Sequence, residues 1–193
     1  MYERYFQEFN KRALLSEEEQ EFIKKFLSVR KIRKRQYLLQ EGDECKCVAF
    51  VEKGAMRLYR VNENGSEHIV LFALDGSFIT DLYSFLTNEP STYNIDAIED
   101  SELLVITKSA SDELRKVSAK YREFIFDMTS EAYIQSQRRI TSIISLTVED
   151  RYKELIAIYP DIIQRLPQHM IASYIGMTPE TLSRVRKRIS INK

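Results

Sequence analysis

The chain reads as an α+β protein: helices flank an antiparallel β-barrel or jelly roll, and a helix-turn-helix stands near the C-terminal end. Three observations predict this class. Gly42, Gly54, Gly65 and Gly76 fall eleven or twelve residues apart, with short apolar runs between them. Short strands punctuated at that spacing are the pattern of an antiparallel barrel or sandwich. Helical periodicity then returns after Ser109 and carries through residues 121–146 without a breaker. Finally, residues 166–188 read LPQHMIASYIGMTPETLSRVRKR, two helical segments around one glycine.

Taken in order, residues 1 to about 35 are predicted helical, with Ser16 and Glu19 forming a capping box ahead of Phe22, Ile23, Phe26 and Leu27. Strands are predicted at 48–51, 56–61, 68–73, 93–98 and 103–107, and Asn64-Gly65 marks a tight hairpin. A short helix begins at Ser111, and a long one follows over 121–146. The seam of that long helix would include Tyr121, Phe124, Met128, Ala132, Ile140 and Ile143, and it is expected to pair with a second copy. The expected organisation is therefore 1–119, a β domain with flanking helices; 120–146, a dimerisation helix; and 147–193, a C-terminal helical module.

The last module carries the functional signal. Met170, Ile171, Tyr174 and Ile175 give residues 168–175 one buried helical face, and Gly176 sits where a left-handed residue must end that helix. Thr178 can cap a second helix, with Pro179 at its first position and Glu180 in its first turn. Leu182 and Val185 point to the core. Thr181, Ser183, Arg184, Arg186, Lys187 and Arg188 are left facing outward, which suits a major groove.

With 44% hydrophobic and 30% charged residues and zero formal net charge, the 193-residue composition is that of a water-soluble globular protein. Neutrality disfavours indiscriminate coating of nucleic acid. The charge is instead concentrated: from Thr178 onward Arg184, Arg186, Lys187, Arg188 and Lys193 face a single acid, Glu180. A second basic run, Arg30, Lys31, Arg33, Lys34 and Arg35, is read as a solvated helix end and strand edge. No apolar run reaches membrane-spanning length and no secretion signal is expected, so the cytoplasm is the expected location and no membrane partner is anticipated. Cys45 and Cys47 supply no disulfide framework, and no third or fourth ligand accompanies them, so no metal site is expected. Neither His68 nor His169 belongs to a catalytic arrangement, and no enzyme is predicted.

These features together resemble the Crp/Fnr transcription regulators over nearly the whole chain. The resemblance rests on Glu41-Gly42-Asp43, Val51-Glu52-Lys53-Gly54 and Asp75-Gly76-Ser77-Phe78-Ile79 in the β region. At the end it rests on Ile171-Ala172-Ser173-Tyr174-Ile175-Gly176 and Thr178-Pro179-Glu180-Thr181-Leu182-Ser183-Arg184. It implies a cyclic-nucleotide-binding-like β domain, a homodimer through the long helix, and paired recognition helices on a palindromic double-stranded DNA operator. RNA polymerase is a further candidate partner.

Position by position, Glu180 and Arg184 match the family's base readers. A carboxylate can accept from cytosine N4, and a guanidinium can grip guanine O6 and N7. Thr178, Thr181 and Lys187 suit phosphates, with Ser183 and Arg188 on the same face. Pro179 stands where catabolite-activator-like members carry another base-reading arginine, so the operator is expected to differ from theirs.

The implied effector site is degenerate. Its residues would be Thr80, Asp81, Leu82, Ser91, Thr92 and Tyr93, with Asp81 placed to hold a ribose hydroxyl. Ser91 replaces the family's phosphate-binding arginine, and a buried phosphate with no cation is costly, so cyclic AMP and cyclic GMP are disfavoured. The pocket is expected to be empty or to take another small molecule, and no cofactor is assigned. Family members usually continue into a hairpin wing after the recognition helix; here only residues 189–193 follow, so wing contacts are expected to be truncated or absent. The alternative reading is a small-molecule sensor that acts through protein–protein contact, the basic end serving that partner.

Overall fold

The computed structural model describes residues 1–191; Asn192 and Lys193, part of the basic tail, lie outside the described residues. Two short helices come first, α1 (Glu3–Asn10) and α2 (Glu17–Lys24), the second closed by the Ser16–Glu19 capping box. Eight strands follow: β1 (Ser28–Ile32), β2 (Tyr37–Leu39), β3 (Cys47–Lys53), β4 (Ala55–Val61), β5 (Glu67–Leu74), β6 (Phe78–Ile79), β7 (Asn94–Ala97) and β8 (Ser101–Thr107). A one-and-a-half-turn helix, α3 (Leu82–Thr87), interrupts them between β6 and β7. The rest is helical: α4 (Lys108–Val117), α5 (Ala119–Ser145), α6 (Val148–Ile158), α7 (Ile162–Arg165), α8 (Gln168–Ile175) and α9 (Pro179–Ile191).

The strands form two antiparallel sheets, ordered β1-β8-β3-β6 and β2-β7-β4-β5. That order is a double-sheet jelly roll. Of the barrel and the jelly roll expected, it is the open one: each sheet keeps its edges, and the interior is the layer between them. Met56, Leu58, Ile95 and Ala97 from one sheet meet Ala49, Val51, Leu103 and Val105 from the other there. A correction concerns the first 35 residues, expected to be helical throughout. β1 is a strand paired with β8, and four of its five residues are exposed on an edge. An edge strand so solvated carries no apolar alternation to read. Its basic residues Arg30 and Lys31, with Arg33 to Arg35 beyond, are exposed, and Lys31 reaches Glu102 at 3.0 Å.

The outer faces of the two sheets are covered differently. On the first sheet, α1, α4 and the start of α5 bury an aromatic cluster of Tyr5, Phe6, Phe9, Phe50, Tyr121 and Phe124. The buried carboxylate of Glu52 accepts the Arg4 and Tyr5 N–H groups at 2.9 and 3.3 Å, satisfying the first turn of α1 and complementing its dipole. On the second sheet, Ala55, Tyr59, Ile69, Phe72, Leu74 and Ile98 pack against the C-terminal helices through Tyr152, Leu155, Ile162, Ile171 and Ile175. Arg57, the charged member of that outer row, is buried and neutralised by Asp96 at 2.7 Å and by Glu67.

Gly54 joins β3 to β4 at φ +114°, and a Cβ there would lie 2.2 Å from the Ser101 hydroxyl and 2.7 Å from its Cα. The left-handed backbone and the backbone clash add, so Gly54→Ala is expected to cost about 2–5 kcal/mol. Urea unfolding at fixed protein concentration checks this, and a loss under about 1 kcal/mol would show that the β3–β4 turn yields freely.

Candidate nucleic-acid interface

The helix pair forms where its local chemistry requires. α8 ends at Gly176, which takes the left-handed conformation (φ +71°, ψ +44°), and the Met177 N–H returns to the Ala172 carbonyl at 2.9 Å. α9 starts at Pro179, and the Thr178 hydroxyl accepts the Thr181 N–H at 3.2 Å. Ile171, Ala172 and Ile175 of α8 and Leu182 and Val185 of α9 are buried together, fixing the angle between the helices.

That packing leaves one face of α9 in water. Glu180, Ser183, Arg184, Lys187 and Arg188 are exposed, Thr178 is exposed at the cap, and Thr181 is half-buried between them. Arg184 donates to the Thr181 hydroxyl at 3.3 Å, which in turn contacts the Thr178 hydroxyl at 3.2 Å. The Glu180 carboxyl is held below the usual carboxylate range, first by its own backbone N–H, then by the Thr178 hydroxyl and the charge of Arg184. An ionised acceptor and a forked donor therefore stand one helical turn apart on the exposed face. Arg186 differs from the outward placement expected of it: it is half-buried and bonded to Tyr152.

The predicted effector residues lie together but are engaged with one another. Asp81 is buried, and one carboxylate oxygen caps α3 by accepting the Tyr83 and Ser84 N–H groups at 3.1 and 3.3 Å. Its other oxygen accepts the hydroxyl of Ser91, itself buried, at 2.7 Å. Thr80 donates to the Cys47 carbonyl at 3.1 Å. Leu82 and Tyr93 are half-buried, and Thr92 is exposed. In this structure Asp81 acts as a helix cap, and Ser91 completes the cap from the position the resemblance assigns to an arginine. Cys45 and Cys47 are both free, and burial pushes the Cys47 thiol up to about 11, away from reactive thiolate.

The predicted dimer residues divide. Tyr121 and Phe124 are buried against α1 and the first sheet, each 1% exposed, and Met128 packs on the same cluster. Tyr121 and Phe124 are thus occupied within the single chain, while Met128 is half-buried. Ala132, Ile140 and Ile143 are exposed, and so are Phe126, Tyr133, Ile134 and Ile144, which the predicted seam omitted. Phe126, Ser130, Tyr133, Gln137, Ile140 and Ile144 alternate four and three residues apart, the spacing of one coiled-coil stripe. Counting heptads from Phe126 rather than from Tyr121 is the signal that finds it.

The cyclic nucleotide-binding domain family matches residues 29–118. The chain is 25% identical over 171 residues to regulatory protein HlyX of Actinobacillus pleuropneumoniae, covering 81% of this chain and 69% of that protein. It is 26% identical, again over 171 residues, to the fumarate and nitrate reduction regulatory protein of Vibrio cholerae, covering 81% and 66%. In fold it superposes on FixK2 from Bradyrhizobium japonicum with a TM-score of 0.72 and 18% identity, covering 86% of this chain and 85% of that one. In sequence and in fold the chain is thus similar to Crp/Fnr-type regulators. Within that Crp/Fnr frame it spans about two thirds of the length of the curated relatives it matches. Among the described residues, no helix is long and apolar enough to cross a membrane.

Proposed function

We propose that this chain is a sequence-specific DNA-binding transcription regulator of Crp/Fnr type that works as a homodimer in the cytoplasm, with residues 147–193 as its reader, 120–146 as its dimer helix and 1–119 as its sensor or scaffold. One observation carries the reading: α9 is anchored by Leu182 and Val185 while Glu180, Ser183, Arg184, Lys187 and Arg188 stay in solvent. Arg184 reads guanine through its fork and Glu180 accepts from cytosine; Thr178, Thr181 and Lys187 position the helix on phosphates. Two copies related by a twofold axis address half-sites one duplex turn apart, roughly 34 Å. Transcription then follows from contact with RNA polymerase or from its exclusion.

The β domain acts without cyclic AMP or cyclic GMP in this reading. Supporting it, Asp81 is already satisfied by the α3 amides and Ser91, and a ligand would have to break those bonds before binding.

Selection of bound genomic fragments by the purified chain, followed by sequencing, tests the function. An enriched palindrome is the expected result. No enrichment would assign the basic helix to a protein partner and the chain to small-molecule sensing. On the selected operator, Arg184→Ala is expected to lose about 1–3 kcal/mol per half-site and to relax preference at one base pair. An equal loss on every sequence would make Arg184 a phosphate contact.

A further inference from the structure

β5 is the outer strand of its sheet, and its free edge faces α8 rather than another strand. The ladder with β4 is irregular there: Leu58 pairs with Leu71 and Tyr59 with Ile69, so Val70 has no opposite residue. A bulge of this kind leaves its extra residue outside the ladder, with a carbonyl free to take another donor. Arg139, from the last third of α5, supplies that donor. Its guanidinium donates to the Val70 carbonyl, to the Ile69 carbonyl at 3.0 Å and to the Tyr174 carbonyl on α8 at 3.1 Å, and it lies 4.1 Å over the Tyr174 ring. Ser173 extends the same clasp. Its hydroxyl accepts the Ile69 N–H at 3.1 Å and donates to the Glu67 carbonyl at 2.8 Å, in place of a neighbouring strand.

One side chain thus ties the long helix, the jelly roll and the first reader helix together through three backbone carbonyls. A planar fork with several donors can do this; a lysine, with one nitrogen, cannot span the three. Since α8 and α9 share a core, whatever fixes α8 also fixes the recognition helix.

We propose that Arg139, seated in the β5 bulge, is a positioning residue for DNA reading: it sets where each recognition helix sits relative to the dimer helix, and hence the half-site spacing the dimer accepts. The inference rests on the DNA-reading proposal and adds a residue that touches no DNA. A spacer one base pair longer or shorter moves and rotates a half-site. A rigidly clasped dimer resists this change, and a loosened one tolerates it.

The experiment compares the selected operator with versions respaced by one base pair either way, for the full chain, Arg139→Ala and Ser173→Ala. Wild type is expected to prefer its own spacing. Arg139→Ala should keep the same half-site sequence while narrowing that preference by roughly 3- to 10-fold, and Ser173→Ala should shift it the same way by less. Amide exchange without DNA, read at Ile69 and along α8, should accelerate in both variants. An unchanged spacing ratio in folded variants that still select the same half-site overturns the proposal. Should Arg139→Ala fail to fold, the spacing ratio of Ser173→Ala decides. Should wild type select no half-site, the DNA reading falls instead, and unchanged exchange at Ile69 and α8 would then overturn the clasp.

Discussion

Placing glutamates at Tyr133 and Ile140 together is expected to turn the proposed dimer into folded monomers and to weaken operator binding by about 10²–10⁴-fold. The stripe that would carry the dimer is open to solvent in the single chain: Phe126 is 71% exposed, Tyr133 66%, Ile140 48% and Ile144 78%. From Phe126 to Ile144 it runs roughly 27 Å, at about 1.5 Å per residue. A soluble chain seldom leaves so long a row of large apolar side chains uncovered. Two copies crossing on the row would bury Tyr133 and Ile140 near its middle, so Tyr133→Glu with Ile140→Glu brings like charges face to face in an apolar seam. Neither residue belongs to the cores of the single chain, so the fold should survive with its circular dichroism unchanged. Each reader then binds alone and loses the effective concentration that a linked second half-site provides. Sedimentation velocity and a titration on the full palindrome check the two halves of the expectation. A variant that still sediments as a dimer would mean that another surface joins the copies. A monomer that binds the palindrome as tightly as wild type would mean that one reader is sufficient.

What can be read from the chain, and what cannot, divides along the range of the interactions. The bounds of α8 are legible because the apolar period and its terminator, Gly176, are both local. The exposed and buried faces of α9 follow in the same way, except at Arg186, where Tyr152 from another helix draws a cation inward. β3, β4 and β5 are legible because each lies between turn glycines, β7 because polar and apolar residues alternate in NIDA, and β8 because Leu103 to Ile106 form a short apolar run. β1 is not, since its exposed basic residues leave no alternation. In α5 the apolar residues serve two faces. Tyr121 and Phe124 turn to the jelly roll while Phe126, Tyr133 and Ile144 turn to solvent, and one sequence period cannot say which belongs to a partner. Asp81 stands out as an important acid through the resemblance, while its capping role could be read locally, since an aspartate directly before LYSFLT has the position of an N-cap. The Arg139 clasp has no sequence signal at all, because its strand acceptors are backbone carbonyls about 70 residues away, freed by a bulge that depends on strand register.

The two faces of α5 can be separated by stability. Phe124→Ala is expected to cost about 3–5 kcal/mol of folding free energy while leaving the self-association of the folded chain unchanged. The Phe124 ring stacks on Phe9 with centroids 4.1 Å apart and planes 12° from parallel, and it meets Phe78 and Tyr5 edge-on at 5.9 and 6.2 Å. Phe9 is wholly buried and contributed by α1, so the cavity left by alanine would lie between three elements: α1, the first sheet and α5. None of them can move in to fill it without breaking another contact, among them the Glu52 carboxylate that caps α1. The cost should therefore fall near the upper part of the range for buried aromatics. Urea unfolding of wild type and variant at one shared protein concentration measures the loss, since dimer unfolding also depends on concentration. Sedimentation well below the transition measures association separately. Were Phe124 part of the dimer seam, the pattern would reverse: association would weaken strongly and the stability of the folded monomer would barely change. Finding that reversal would move the seam back to the face that begins at Tyr121 and would remove the long helix from its place on the jelly roll.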